Sequence, residues 1–268
     1  MTQRIAILGA GVMGETLLSA IIDGGHPASD LIISEKREDR AAELRETYGV
    51  EVTSNAHAAS DAEVILLVVK PQDVPALLEE IVASVRPGAT VVSLAAGIRI
   101  DTMTAALPEG VAVIRAMPNT PALVGEGMFG ISPGPDVSDA QLACVVSLLE
   151  TGGKVVVVDE AQQDGVTAVS GSGPAYVFYL AEAMIAGGVE AGLDEATART
   201  LATQTLLGSA KLLAESDDTA EELRRRVTSP NGTTHAAIVT FDERGVKEGI
   251  VAGVAAAAAR SAELSGSA

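Results

Sequence analysis

The sequence of 268 residues has no tryptophan, one cysteine and very few aromatic residues, which make up 2% of the chain. A hydrophobic core must therefore consist of aliphatic side chains, and the 47% of apolar residues are sufficient for one. The single Cys144 excludes a disulfide within the chain, which is typical of proteins from a reducing compartment. Because it lies in an apolar helical stretch, we expect a buried structural thiol and not a nucleophile.

Basic residues are also scarce, with 18 lysines and arginines against 36 aspartates and glutamates and a net charge of -18. This balance argues against nucleic-acid binding, which needs cations to neutralise phosphates. The alanine-rich run at residues 251–259 is too short to span a bilayer and soon meets Arg260. The first residues have the pattern of a β-strand and not of a secretory signal. We therefore expect a cytoplasmic protein that binds neither membranes nor nucleic acids.

Glycines, in contrast, are concentrated near the start of the chain. The short apolar segment at residues 4–8 leads directly into Gly9, Gly11 and Gly14, and a helical pattern follows. This G-x-G-x-x-G spacing between a strand and a helix is typical of a turn that binds a dinucleotide pyrophosphate. The first glycine permits the turn, the second admits the phosphates, and the third lets the helix pack on the strand. The alternative is a glycine turn in an ordinary βα unit.

Residues 31–34 are predicted to form a second strand, which ends in Glu35, Lys36 and Arg37. This end lies about 20 residues beyond the glycine turn, where such folds contact the adenosine ribose. The two cations favour a 2′-phosphate and hence NADP(H). Glu35 leaves NAD(H) open, and a solvated charge run at the start of a helix is the alternative.

Continuous apolar runs at residues 64–69, 90–94 and 111–115 predict central parallel strands that are covered on both faces. Ligands of a doubly wound sheet bind beyond the carboxyl ends of its strands. The glycine turn and the segments after these strands are therefore expected to line one crevice; the segments are 70–71, 95–97 and 117–121. Residues 128–131 and 155–158 are predicted as two further strands.

From residue 160 onward the pattern is helical without a convincing strand, and the helices are predicted at 160–169, 174–191, 194–214, 219–227, 233–242 and 246–264. A sheet-forming half followed by helices indicates two domains, residues 1–159 and 160–268. Two loops in the helical half, 170–176 and 228–234, place hydroxyls and backbone N–H groups at the start of a helix. Such a loop suits a small carboxylate, and simple N-capping is the alternative.

Six motifs occur along the chain in a fixed order: Gly9-Ala10-Gly11-Val12-Met13-Gly14, Val69-Lys70-Pro71, Ser93-Leu94-Ala95-Ala96-Gly97, Ile114-Arg115-Ala116-Met117-Pro118-Asn119-Thr120-Pro121, Ser170-Gly171-Ser172-Gly173-Pro174-Ala175-Tyr176 and Val227-Thr228-Ser229-Pro230-Asn231-Gly232-Thr233-Thr234. Together they resemble the motifs of the pyrroline-5-carboxylate reductase family. The chain differs from the family at Asn231, where glycine is usual, and at His235, where isoleucine is usual.

The resemblance implies an α/β fold with an N-terminal Rossmann-type doubly wound sheet that binds NADPH, with NADH left open. It implies that the C-terminal all-α domain binds substrate and forms a homodimer, which some relatives assemble into decamers, with the active site at the dimer interface. The implied reaction reduces the C=N bond of 1-pyrroline-5-carboxylate to L-proline, the last step of proline biosynthesis.

Functional residues are carried over from the family by position. The implied cofactor contacts are Leu8, Gly9, Ala10, Gly11, Val12, Met13, Ser34, Lys36, Arg37, Asn55, Val69, Lys70, Pro71, Ala95, Ala96 and Gly97. The implied substrate contacts are Glu160, Ser172, Gly173, Gly232, Thr233 and Thr234.

Hydride transfer to a C=N bond needs neither a nucleophile nor a metal, and the sequence has no H-E-x-x-H or C-x-x-C motif. We predict Thr234 as the catalytic residue, its hydroxyl bonded to the ring nitrogen while the amides of residues 232–234 hold the carboxylate. Lys70 is predicted to contact the cofactor and not to act as an acid.

Two other functions stay open. A β-hydroxyacid-type dehydrogenase on the same scaffold would need a general base, for which Lys211 is the one lysine in the middle of the helical half, without a family motif around it. A non-catalytic regulator that binds a nucleotide or pyridoxal phosphate would keep the glycine turn but would not need the loop at 229–234.

Overall fold

The computed structural model describes residues 3–266, and its first half contains one eight-stranded sheet. The strands are β1 Ile5–Leu8, β2 Leu31–Ser34, β3 Glu51–Thr53, β4 Val64–Leu67, β5 Thr90–Ser93, β6 Ala112–Met117, β7 Gly127–Pro133 and β8 Gly153–Val157. Their order in the sheet is β3-β2-β1-β4-β5-β6-β7-β8. Neighbouring strands are parallel except for β6 and β7, which are antiparallel. The predicted doubly wound sheet is confirmed.

Helices connect the strands and make up the second half. They are α1 Val12–Asp23, α2 Glu38–Tyr48, α3 Asn55–Asp61, α4 Val74–Ile81, α5 Ile100–Ala106, α6 Asp139–Leu149, α7 Gln163–Val166, α8 Gly173–Glu190, α9 Glu195–Glu215, α10 Ala220–Arg226, α11 Thr233–Glu243 and α12 Val246–Gly266. Between residues 160 and 266 the structure contains helices and turns but no strand, as predicted. Within the described chain no helix is both long and apolar enough to cross a membrane.

The chain divides into two compact units. One, the sheet unit, contains the residues up to Ser172 together with those from Ala257 onward. The other, the helical unit, is Gly173–Ala256. The sheet unit thus includes the last turns of α12. The domain division at residue 159, which we drew from the change to a purely helical pattern, stays a prediction.

The core of the sheet unit consists of two buried apolar clusters on opposite faces of the sheet. Along β1, Ile5 and Ile7 belong to one cluster while Ala6 and Leu8 belong to the other, because successive strand residues point to opposite faces. Burial of each large aliphatic side chain contributes about 1.5–3 kcal/mol. The continuous apolar runs of the sequence therefore reflect strands that are covered on both sides.

Cys144 lies in α6 and is half-buried. The thiol is therefore less buried than we predicted. The residue packs at the margin of the first apolar cluster, and its thiol contacts the side-chain oxygen of Gln3. Partial burial raises the pKa of the thiol, which lowers the fraction of reactive thiolate.

The carboxyl ends of the central strands are level with one another. Leu8 pairs with Ser34 on one side and with Leu67 on the other, and Leu67 pairs with Ser93. The segments that follow β1, β2, β4 and β5 therefore leave the sheet at one edge.

Candidate active site

The glycine turn after β1 depends on the absence of side chains. Gly9 has a φ of +108°, and a Cβ there would lie 2.5 Å from the carbonyl oxygen of Val68. A Cβ at Gly14 would collide with the carbonyl oxygen of Gly9. A Cβ at Gly11 would have no neighbour within 4 Å. The first and third glycines thus allow the turn and helix α1 to pack closely, while the middle one borders open space.

The start of α1 faces this open space with unpaired backbone N–H groups. Gly11 is the N-cap and supplies no side-chain cap, so the N–H groups of Val12 and Met13 have no intrahelical acceptor. The side chain of Val12 is 71% exposed, whereas Leu8 and Ala10 are buried beneath the turn. A helix start of this kind is a binding site for an anion.

The segment after β2 joins the glycine turn through the buried Ser34, whose carbonyl oxygen accepts the Gly9 N–H at 3.2 Å. The carboxylate of Glu35 accepts the backbone N–H of Arg37 at 2.8 Å and lies 3.6 Å from its Nε. Lys36 is exposed and forms no ion pair with any residue in 3–266. Of the charged groups here, Glu35 is therefore engaged with its neighbour while Lys36 is available to a ligand.

A cavity of about 370 Å³ lies beside this segment. Its lining includes Ser34, Lys36, Arg45, Asn55 and Glu80. Asn55, the first residue of α3, is only 7% exposed. The structure thus brings three predicted cofactor residues, at positions 34, 36 and 55, around one cavity.

A larger cavity of about 840 Å³ lies in the sheet unit at the ends of β4 and β5. Its mostly apolar lining includes Pro71, Ala96, Gly97, Thr167, Ser172 and Leu264. This volume is within the usual range for small-ligand sites, about 300–1,000 Å³. Three predicted cofactor residues therefore share a cavity with Ser172, a predicted substrate residue.

Three other predicted residues near these strand ends do not line that cavity. Val69 is half-buried and Lys70 is exposed at the start of the short turn after β4. Ala95 is buried in the core.

The end of α12 forms one wall of the larger cavity, which the sequence did not indicate. The Oγ of Ser261 donates to the carboxylate of Asp164 at 2.6 Å, and Ser265 approaches the same oxygen at 3.5 Å. A Cβ at Gly97 would lie 3.7 Å from the Oγ of Ser265. These contacts fix the helix end over the loop that follows β5.

Glu160, a predicted substrate residue, is held by two contacts within the sheet unit. Its Oε1 accepts the backbone N–H of Ile100 at 2.9 Å, at the start of α5. The same oxygen lies 3.3 Å from Nη1 of Arg115, whose side chain is only 6% exposed. Glu160 therefore neutralises a buried cation, and a direct contact with substrate stays a prediction. In the sequence, the position of Arg115 inside an otherwise apolar strand indicates a buried cation, which needs an acidic partner.

The loop around Ser172 is anchored to the segment after β6. The side-chain amide of Asn119 donates to the carbonyl oxygen and the Oγ of Ser170, at 3.3 and 3.2 Å. A π-helical turn, Thr167–Gly171, precedes Ser172, and Gly173 begins α8. Turns of this type occur frequently at functional sites.

The loop at residues 228–234 belongs to the helical unit and leads into α11. Asn231 has a φ of 60°, the one positive φ of a non-glycine residue in the described chain. Asparagine adopts this left-handed conformation more readily than most residues, which explains why it can replace the glycine that is usual in the family.

The three residues predicted to hold a carboxylate lie at the start of α11. Gly232 is the N-cap, but its N–H donates to the carbonyl oxygen of Ser229 at 3.0 Å. Thr233 is exposed and Thr234 is half-buried, and their N–H groups have no intrahelical acceptor. The Gly232 amide is therefore engaged within its own loop, unlike the next two amides, and contact of the three residues with substrate stays a prediction.

The helical half, residues 160–264, matches the family model described as pyrroline-5-carboxylate reductase dimerisation. Residues 4–97 match a second model, NADP oxidoreductase coenzyme F420-dependent. The pyrroline-5-carboxylate reductase of Pseudomonas aeruginosa is 42% identical over 265 residues, which cover 98% of this chain and 97% of that protein. The chain belongs to the pyrroline-5-carboxylate reductase family. The Corynebacterium melassecola reductase is 41% identical over 264 residues, 97% of this chain and 98% of that protein.

Solved structures of family members share the fold. A pyrroline-5-carboxylate reductase from Coxiella burnetii has a TM-score of 0.94 at 32% identity. The match covers 98% of the present chain and 99% of the Coxiella burnetii chain. The Plasmodium falciparum enzyme, solved with NADP bound, has a TM-score of 0.86 at 25% identity and covers 98% of each chain. The alternative functions have no such support, and Lys211, the base considered for a dehydrogenase, is exposed on α9.

The reductase is an NAD(P)H-dependent enzyme, and its residues fit that cofactor. Open space at Gly11 and the unpaired N–H groups of α1 suit a pyrophosphate. The exposed Lys36 supplies local positive charge in a chain of net charge -18. Residues 3–266 contain no group of three or more side chains arranged to hold a metal ion.

Proposed function

We propose that this protein reduces the C=N bond of 1-pyrroline-5-carboxylate with NADPH and forms L-proline, the last step of proline biosynthesis. The observation that carries the proposal is the cavity of about 840 Å³ that joins Ala96 and Gly97 to Ser172. It lies at the sheet edge from which the glycine turn also departs, so one end of a dinucleotide bound there would meet a small substrate.

The cofactor is held by the segments at the ends of β1, β2, β4 and β5. Residues 8–13 bind the pyrophosphate, and Ser34, Lys36, Arg37 and Asn55 bind the adenosine part. Because the Glu35 carboxylate is already engaged with Arg37, it competes weakly for a ribose hydroxyl, which favours NADPH over NADH.

The nicotinamide end is held by residues 69–71 and 95–97, which include Val69, Lys70, Pro71, Ala95, Ala96 and Gly97. When bound, the reduced nicotinamide supplies the hydride. The apolar wall of the cavity, including Pro71 and Leu264, excludes water from the reacting carbon.

Substrate is oriented by the start of α11. The amides of Thr233 and Thr234 hold the carboxylate, with the helix dipole favouring the negative charge. The Thr234 hydroxyl accepts the N–H of the protonated imine and fixes the ring, and because threonine is a poor acid it orients this proton and does not supply it. Such positioning is worth about 7–11 kcal/mol in favourable intramolecular models. Ser172 and Gly173 border the ring, and Glu160 supports the site through Arg115.

The active site is completed by a second copy of the chain. The matched dimerisation region includes both substrate loops, and the helical unit exposes large apolar side chains such as Phe178 at 62%, Tyr179 at 76% and Leu213 at 48%. Surfaces of this kind are commonly covered by another subunit. We propose that the cofactor segments of one subunit meet Thr234 of the partner subunit. Assembly into decamers and location in the cytoplasm are further proposals.

The activity is tested by steady-state assays of the purified protein with NADPH and NADH on pyrroline-5-carboxylate, with the molecular mass measured on the same sample. We expect turnover with both cofactors, a higher kcat/KM with NADPH, and at least a dimer. Turnover only on 2- or 3-keto acids, or cofactor binding without turnover on any imine, would contradict the proposal.

The shared site is tested by co-expressing two impaired variants, Gly11→Ala and Thr234→Ala, with different affinity tags. If each site combines two subunits, the hybrid dimer contains one site with both an intact glycine turn and an intact Thr234, and activity returns. A folded hybrid without activity would contradict a shared site.

A further inference from the structure

Asn55 is held in place by a residue that the sequence did not connect with the site. Its Nδ2 donates a hydrogen bond to Oε2 of Glu80, in α4, at 2.9 Å. Both residues line the cavity of about 370 Å³ together with Ser34 and Lys36. Since Ser34 accepts the N–H of Gly9, this cavity adjoins the glycine turn.

The chemistry of Glu80 determines which way the amide of Asn55 points. An ionised carboxylate can only accept hydrogen bonds, so the NH₂ group of Asn55 must face it. The Oδ1 atom of Asn55 has no hydrogen-bond partner among residues 3–266. It also stays accessible, because the atoms that are both buried and unpaired in that part of the chain are Arg4 Nε and Gln163 Oε1.

The two helices that carry this pair pack against each other. Ala58 and Ala59 of α3 belong to the same buried cluster as Leu77 and Leu78 of α4. With the two helices packed together and Asn55 itself 93% enclosed (7% exposed), the side-chain amide has one hydrogen-bonded orientation.

We propose that Glu80 is a positioning residue for the cofactor: it orients Asn55 so that Oδ1 accepts a hydrogen bond from a hydroxyl or amino group that the adenosine moieties of NADPH and NADH share. The proposal rests on the proposed function for the identity of the cofactor. A 2′-phosphate dianion has no donor to offer Oδ1. The contact therefore strengthens the binding of NADPH and NADH equally, unlike the contribution of Lys36.

The test compares cofactor binding to Glu80→Ala, Glu80→Gln and the wild-type protein, measured as the Kd of NADPH and of NADH by titration calorimetry. Simple electrostatics predicts that loss of a negative charge near an anionic cofactor tightens binding, more so for NADPH. A positioning role predicts the opposite change. Glu80→Ala should raise the Kd of both cofactors about fivefold, the loss expected for one hydrogen bond. Glu80→Gln keeps an acceptor oxygen and should retain affinity close to wild type.

The decisive comparison repeats Glu80→Ala in an Asn55→Ala background. If Glu80 acts through Asn55, its removal has no further effect there. An equal loss in both backgrounds, tighter or unchanged binding in Glu80→Ala, or a loss in Glu80→Gln as large as in Glu80→Ala would each overturn the proposal. Glu46→Ala, which removes an exposed carboxylate on α2, is the matched control and should leave both Kd values unchanged.

These measurements need no turnover. Failure of the proposed function would appear as cofactor binding without reduction of pyrroline-5-carboxylate, independently of how the Glu80 variants bind. Melting temperatures of all variants, and the intact affinity of Glu80→Gln, separate a loss of orientation from a loss of fold.

Discussion

Replacement of Glu160 by Gln should destabilise the protein more than it impairs catalysis. The substitution keeps a side-chain oxygen that can accept the Ile100 N–H, so it removes only the charge next to Arg115. The Arg115 side chain is 6% exposed while the Glu160 side chain is 24% exposed. The variant therefore leaves a cation that is almost fully buried without its counter-ion.

The size of the effect follows from the geometry. At the observed separation of 3.3 Å, two unit charges attract by about 5 kcal/mol at an effective dielectric constant of about 20. Removing one partner of a fully buried pair costs about 3–5 kcal/mol. Because Glu160 retains some contact with water, we expect the free energy of unfolding to fall by about 2–3 kcal/mol, less than for a fully buried pair. For a chain of this size that loss lowers the melting temperature by about 4–5 °C.

The assay is thermal unfolding at a fixed protein concentration, since a dimer's stability depends on concentration, together with KM values for NADPH and pyrroline-5-carboxylate. Adding Arg115→Met to the Glu160→Gln variant removes the unpaired charge and should restore most of the lost stability. An unchanged melting temperature with a raised KM for pyrroline-5-carboxylate would refute this reasoning and assign Glu160 to substrate binding alone.

Three further predictions concern the glycine turn, the start of α11 and the thiol. Thr234→Ala should lower kcat/KM for pyrroline-5-carboxylate at least about tenfold, as expected for loss of a hydrogen bond to a charged group, with little change in NADPH affinity. Thr234→Ser, which keeps the hydroxyl, is the control. Equal activity of the Thr234→Ala and wild-type proteins would contradict the assignment. Gly14→Ala should lower both the melting temperature and the NADPH affinity, because its methyl group meets the Gly9 carbonyl. Gly11→Ala, whose methyl group faces open space, should lower the NADPH affinity alone. Equal changes of melting temperature in the two variants would be inconsistent with this geometry. Since burial raises the pKa of Cys144, its alkylation at neutral pH should be slower than that of a free cysteine and should accelerate as pH rises or on unfolding, and a rate equal to that of the free amino acid would disagree.

Much of the fold follows from local sequence pattern. The central strands are covered on both faces, so their apolar runs predicted β2 as found and β5 to within one residue. Helix α6 likewise has a local start signal, since Ser138 and Gln141 form a capping box at its first turn. The strand β3 was not predicted, because Glu51–Thr53 is only three residues long and has one buried position at the edge of the sheet.

The parts of the candidate site that are formed by a local turn could be predicted from the sequence. The parts that are formed by residues far apart in the sequence could not. Glycine spacing indicated the turn at residues 9–14, since its conformation is set locally. No periodicity indicates that Asp164 meets Ser261, or that Arg115 meets Glu160, because these contacts exist only once the chain has folded. The hydrogen bond from the Gly232 amide to Ser229 is a different case, because it lies within one loop but is not marked by the hydroxyl and glycine pattern of that loop.

The central claim is that hydride passes from the nicotinamide to the imine carbon of pyrroline-5-carboxylate. It is tested most directly by running the reaction with NADPH that carries deuterium at the transferred position of C4. We expect L-proline in amounts equal to the NADPH consumed, with deuterium bound to the carbon of the former C=N bond. Consumption of NADPH without labelled proline, or deuterium at any other carbon, would contradict the claim.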